Sequence, residues 1–173
     1  MSIGKQITER LRRLADGDRT VLEASPENTL LVLDQPLCAR LEFSDHDRYS
    51  VTLRDLTVGA GGAAPLDARG YLSTAAAEVA RRLSFLEEPL AVWELDAGER
   101  VAQLRSSPPL REGEEISYWE VALSIGAEPA ARATRYHWAP GMAERKVLVY
   151  PATFALVARM ADSLAAALRG AME

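Results

Sequence analysis

Runs of two-residue alternation lie side by side between single helical stretches, and that succession leaves few folds open to this chain. In Leu37–Phe43, Leu37, Ala39, Leu41 and Phe43 alternate with Cys38, Arg40 and Glu42. After the polar turn Ser44-Asp45-His46-Asp47, Tyr49, Val51 and Leu53 alternate with Ser50, Thr52 and Arg54. Alternation of this kind marks strands with one buried face, and a short polar link makes the pair an antiparallel hairpin. Thr20–Ala24 and Thr29–Leu33 read as earlier strands around the turn Ser25-Pro26-Glu27-Asn28. Four more strands are expected at Leu90–Asp96, Glu99–Ser106, Glu115–Ile125 and Ala130–Trp138, with a short one at Lys146–Tyr150. Asp96-Ala97-Gly98 reads as a tight hairpin connection, with Gly98 suited to positive φ.

Three helices punctuate the strands. Ile3, Ile7, Leu11 and Leu14 make one stripe in residues 3–15, ended at Asp16-Gly17-Asp18. A second helix is expected from Asp67 to Leu86, stopped by Glu87-Glu88-Pro89. The third carries Phe154, Val157, Met160, Ala161, Leu164 and Leu168, with Pro151 at its first position and Gly170 at its C′ position. Adjacent strands between single helices imply antiparallel pairing rather than alternating βαβ units. The expected fold is therefore α+β: a two-layer sandwich with an antiparallel sheet and helices packed on one face. The order is α-β-β-β-β-α-β-β-β-β-β-α. One domain over residues 1–173 is expected, with a Gly/Ala-rich connector at 57–65; the parts 1–86 and 87–173 read either as pseudo-halves of a duplication or as a chance likeness of two Ala/Leu/Arg-rich helices.

The sequence of helix, three strands, helix, strands and helix resembles the type III secretion chaperone-like fold. So do the segments Leu31-Val32-Leu33-Asp34, Leu37–Phe43 and Tyr49–Leu53, which look like that family's early strands. The resemblance covers residues 3–106, and residues 107–150 add two long strands beyond the family's usual pattern. It implies a homodimer that binds a partner polypeptide and performs no chemistry, and no binding residue is carried over from it.

Composition narrows the partner. The chain is 48% apolar with a formal net charge of −5, and residues 87–128 carry 10 acidic against 3 basic groups. A nucleic-acid binder ordinarily needs a basic stripe, so nucleic acid is not expected. No apolar run approaches a membrane span and the N-terminus turns polar at once, so the expected location is the cytoplasm with no membrane partner. One cysteine, Cys38, allows no internal disulfide.

Chemical motifs are few. Gly59-Ala60-Gly61-Gly62-Ala63-Ala64 matches a dinucleotide-binding pattern, but Pro65 and Leu66 separate it from the helix and Arg54 and Asp55 make its strand half-polar. Three consecutive residues such as Asp45-His46-Asp47 rarely converge on one ion. There is no nucleophile elbow or phosphate-binding loop, and only Cys38 with His46 or His137 could form a Cys/His pair. No cofactor, metal site or catalytic residue is assigned.

The acidic second half holds all three tryptophans, Trp93, Trp119 and Trp138, in its strands. Taking Trp119, Val121, Leu123 and Ile125 as the core face turns Tyr118 and Glu120 outward. Leu90, Val92, Ala102 and Leu104 share the core face, which leaves Trp93, Gln103 and Arg105 on the open one. The candidate binding surface is Trp93, Arg105, Tyr118, Glu120, Arg135 and His137. A one-residue register error would exchange Trp93 for Glu94 and Arg135 for Tyr136. Such a face can take a partner or ligand, form a dimer interface, or stand as solvated sheet with cross-strand Glu–Arg pairs. The leading expectation is a non-enzymatic cytoplasmic binding protein: a homodimeric chaperone or adaptor for another polypeptide. The alternative is a small-molecule-binding or enzymatic domain with a helix–sheet pocket, using Glu94 or Glu120 as acid or base and Arg105 or Arg135 to hold an anion. A structural subunit of a larger assembly is the third reading.

Overall fold

The computed structural model describes residues 1–26 and 28–173. Helix α1, Ile3–Ala15, buries its predicted stripe of Ile3, Ile7, Leu11 and Leu14. Ser2 caps it by accepting from the Lys5 N–H at 3.2 Å, and Gly17 leaves it at φ +98°. Helix α2, Ala68–Arg82, starts at Asp67, whose side chain accepts from the Gly70 N–H. It ends four residues short of the expected Leu86, although Leu83 and Leu86 stay buried. Helix α3, Phe154–Gly170, is capped by Thr153. Pro151 therefore lies in a short strand before α3 rather than at its first position, and Gly170 is its last residue rather than C′.

Among the described residues the strands are β1 (Thr29–Asp34), β2 (Leu37–His46), β3 (Ser50–Ala60), β4 (Leu90–Asp96), β5 (Val101–Ser106), β6 (Leu110–Glu112), β7 (Glu115–Ile125), β8 (Pro129–Trp138), β9 (Lys146–Val147) and β10 (Tyr150–Thr153). They form one antiparallel sheet in the order β1-β2-β3-β8-β7-β5-β4. Two meanders thus meet at β3 and β8. Strand β10 pairs with Ser50–Leu53 of β3, while β8 takes Asp55–Gly59. The pairing with β2 shifts register beside Arg54, so Val51 and Leu53 face the same core as Leu56 and Val58.

The core is a single apolar cluster shared by the three helices and one sheet face. It includes Leu30, Leu41, Leu56, Leu104, Val121 and Ala133 from the strands and Leu72, Val157 and Leu164 from the helices. This is the α+β sandwich with an antiparallel sheet that the strand succession implies. No helix among the described residues is long and apolar enough to cross a membrane.

Three local expectations are corrected. Thr20–Ala24 is not a strand: Arg19–Val21 is a single 3-10 turn, because the Asp18 carboxylate takes the Thr20 N–H at 3.0 Å. The turn expected at 25–28 includes Glu27, which lies outside the described residues. In the β4–β5 connection the left-handed residue is Arg100, φ 59°, and not Gly98, because Asp96 accepts from the Glu99 N–H and extends the loop. The expected connector at 57–65 begins late, since β3 runs through Ala60. Gly59 lies within that strand, where a Cβ would meet the side chains of Glu128 and Cys38 at 2.7 and 2.9 Å. With β3 antiparallel to both neighbours, the glycine run lacks the parallel strand-to-helix setting of the dinucleotide-binding pattern.

Helices α1 and α3 touch at Gly4. A Cβ there would land on the Ala158 carbonyl and the Asp162 carboxylate, which accepts from the Gly4 N–H at 2.8 Å and the Ser2 hydroxyl at 3.0 Å. Gly4→Ala is expected to cost about 1–3 kcal/mol through overpacking, read as a lower urea midpoint with an unchanged slope.

Tyr71 of α2 donates to the Leu168 carbonyl at 3.0 Å and is 5% exposed. Burial pushes its phenol up to about 12. The unfolded phenol titrates near 10, so the unfolded state loses its proton first. Below about pH 10 this contribution to stability is fully present, and it is lost as pH rises toward about 12. At full separation of the two titrations it is worth about 3 kcal/mol. Tyr150 is also raised, first by burial, and adds in the same sense. Unfolding followed from pH 9 to 12 should show a shallower loss of stability in Tyr71→Phe.

Candidate functional site

The sheet face away from the helices carries an aromatic and arginine cluster at its β4–β8 end. Trp93 sits where the β4–β5 register shifts and is 62% exposed. Arg105 of β5 lies directly opposite Glu120 of β7, which in turn faces Thr134 of β8. Tyr118 faces Tyr136, their ring centroids 6.0 Å apart. After β8 the chain turns through Pro140-Gly141 and returns with Arg145, the turn being closed by the Trp138 indole N–H on the Met142 carbonyl at 3.2 Å.

These side chains interlock. The Arg105 Cζ lies 5.2 Å from the Trp93 ring centre and 5.3 Å from that of Tyr118. The Arg145 Cζ lies 3.7 Å from the Tyr136 ring centre. Arg145 Nη2 meets Glu120 Oε2 at 2.8 Å, and Nη1 donates to the Tyr118 hydroxyl at 3.2 Å. Burial works against the Arg145 charge, but these bonds outweigh it and its pKa lies above the ordinary value. Arg105 Nε stands 3.7 Å from Glu120 Oε1, beyond hydrogen-bond reach, and both atoms are buried without partners. A cavity of about 340 Å³ opens here, lined by Trp93, Arg105, Pro109, Ile116, Tyr118, Trp138 and Arg145 among others.

Four of the six sequence-derived residues, Trp93, Arg105, Tyr118 and Glu120, therefore come together. Tyr118 and Glu120 point to the outer face as expected, yet they are only 6% and 4% exposed because the arginines cover them. Arg135 and His137 do not join them. They lie opposite Trp119 and Ser117, and residues directly opposite in an antiparallel pair share a face, here the helix side. Tyr136 and Trp138 take their places on the outer face. Glu94 is exposed on β4 opposite Gln103. Val92, expected in the core, is 51% exposed on the same edge strand.

On the helix side Arg135 is 3% exposed, bonded to Glu88 at 2.9 Å and flanked by the rings of Trp119 and Tyr150. His137 meets Glu115 at 3.5 Å beside a cavity of about 410 Å³ rimmed by Glu87, Glu112 and Glu115.

The remaining motifs resolve into local structure. Asp47 accepts from the Tyr49 and Ser50 N–H groups, which hold its carboxyl below the usual range, and Asp45 accepts from the His46 N–H. No group of three metal-ligating side chains gathers among the described residues. Cys38 Sγ lies 3.6 Å from Glu128, and burial, with that carboxylate, pushes its thiol up, away from the reactive thiolate.

Sequence reasoning missed Arg145 and the lining role of Trp138. Correct parity in β8 recovers Trp138 from Tyr136. Arg145 follows an irregular turn and has no periodic signal. Comparison of the chain with family models, curated proteins and solved structures finds no match.

Proposed function

We propose that this protein is a non-enzymatic binding protein, a chaperone or adaptor that takes a segment of another polypeptide on the outer sheet face. The observation that carries this reading is the cavity bounded by Trp93, Arg105, Tyr118 and Trp138 beside the free edge of β4. Aromatic and arginine side chains supply large contact area with directional hydrogen bonds, which is the chemistry of interface anchors. The apolar cluster between the helices and the sheet argues in the same direction, since the helix-side cavity of about 410 Å³ lies at its border beside His137 and not within it. The alternative constellation of Glu94, Glu120, Arg105 and Arg135 is also split, with Arg135 on the opposite face and Glu120 Oε2 occupied by Arg145. The reading includes a cytoplasmic setting and a homodimer, for which light scattering should give about twice the 18.9 kDa chain mass.

An array of unrelated extended peptides tests the binding role. The protein should bind a subset of them, and Trp93→Ala should weaken those interactions about tenfold or more. An array on which the substitution makes no difference counts against the site, and one with no binding at all counts against the function.

A further inference from the structure

We infer that the outer cavity takes the C-terminal residue of a polypeptide, with its carboxylate on Arg105 and its apolar side chain against Trp93, Pro109, Ile116 and Trp138. This rests on the polypeptide-binding reading above and specifies its ligand.

Arg105 is the first observation. Its side chain is only 26% exposed, yet its Nε is buried without a hydrogen-bond partner among the described residues. A guanidinium has five N–H donors in a planar fork suited to a carboxylate. Trp93 and Tyr118 hold that fork in place, so little conformational freedom remains to be lost on binding. Glu120 does not meet the need, since its near oxygen stays 3.7 Å away and its other oxygen is held by Arg145.

Charge is the second. Two guanidiniums share one carboxylate here, which leaves the cavity one positive charge in a chain whose net charge is −5. A polyanion would meet that overall charge, whereas a single carboxylate meets the local one. The other walls are largely apolar, so the anion must ride on an apolar body.

The third is the sheet edge. Among the described residues strand β4 pairs only with β5, and Ala91, Val92, Trp93 and Glu94 are exposed along it. An extended chain can add to such an edge through main-chain hydrogen bonds and end at the adjoining cavity. A C-terminal residue carries carboxylate and side chain on one Cα, so one residue reaches both Arg105 and the apolar wall.

The test is calorimetric titration of the protein with an acetylated pentapeptide ending in phenylalanine, its C-terminal amide, and 3-phenylpropionate. The free acid should bind at least tenfold tighter than the amide, and Arg105→Gln should abolish that difference. Acid and amide of equal affinity overturn C-terminal capture but leave peptide binding standing. Phenylpropionate binding without either peptide overturns the polypeptide source and the function reading with it. No binding by any of the three overturns the inference.

Discussion

Glu88→Ala is expected to destabilise the protein by about 3–5 kcal/mol. Glu88 is 7% exposed and Arg135 is 3% exposed, and they meet at 2.9 Å. The Ser106 hydroxyl reaches the same Glu88 oxygen at 3.4 Å and accepts from the Trp119 N–H at 2.8 Å, which ties the pair to the centre of the sheet. Removing the carboxylate leaves a guanidinium between the rings of Trp119 and Tyr150 without its ion-pair partner. That uncompensated charge, more than any lost attraction, sets the cost. The double variant Glu88→Leu with Arg135→Met removes both charges and should recover most of the loss. Urea unfolding of the unsubstituted protein and both variants checks this. A single substitution costing under about 1 kcal/mol would mean that the pair behaves as an exposed one.

The same pair shows what could be read from the sequence and what could not. Alternation of small or apolar residues with polar ones identified β2, β3 and β7, because one face of each strand meets the helices and the other does not. In β8 that rule fails at its second half. Arg135 sits on the core side beside Ala133 and Ala131, while Tyr136 and Trp138 lie on the outer side. A hydropathy pattern assigns a charge to solvent, and only the partner on a distant loop, Glu88, makes the buried position tenable. Tyr118 and Glu120 were oriented correctly from Trp119 and Val121, one step away in the same strand. Their burial depends on Arg145, which arrives from a turn with no period. The expected strand at Thr20–Ala24 failed for a local reason, since one aspartate side chain captured the backbone donor. The Gly/Ala connector was misplaced because Gly59 reads as a breaker, while its missing side chain in fact gives room to Cys38 and Glu128. Local propensity and period thus carried the layers, and the polar long-range pairs that set β8 and its site did not show in them.

Glu120→Ala should have the other large effect, about 3 kcal/mol, toward the low end for a buried pair because its arginine partners keep 26% and 31% of their side-chain exposure. Among the described residues Glu120 is the one carboxylate that faces both Arg105 and Arg145 within 4 Å. Without it the two guanidiniums repel across a gap floored by Tyr118, and Arg145 loses its charged anchor while keeping only the tyrosine hydroxyl. The turn before Arg145 should then exchange its amide hydrogens faster, while the Arg12–Leu14 end of α1, on the far side of the sheet, should not change beyond the global loss. Glu120→Gln retains an acceptor for Arg145 and should cost less than half as much. The effect on binding follows from the same geometry. Arg145 forms part of the cavity wall, so loosening it should weaken the hold on the phenylalanine side chain, while the second uncompensated positive charge favours the carboxylate; the C-terminal amide should therefore lose more affinity than the free acid. A variant that lost stability but bound the amide unchanged would show that the wall is set by Trp93, Tyr118 and Trp138 alone, with Arg145 serving only to neutralise Glu120.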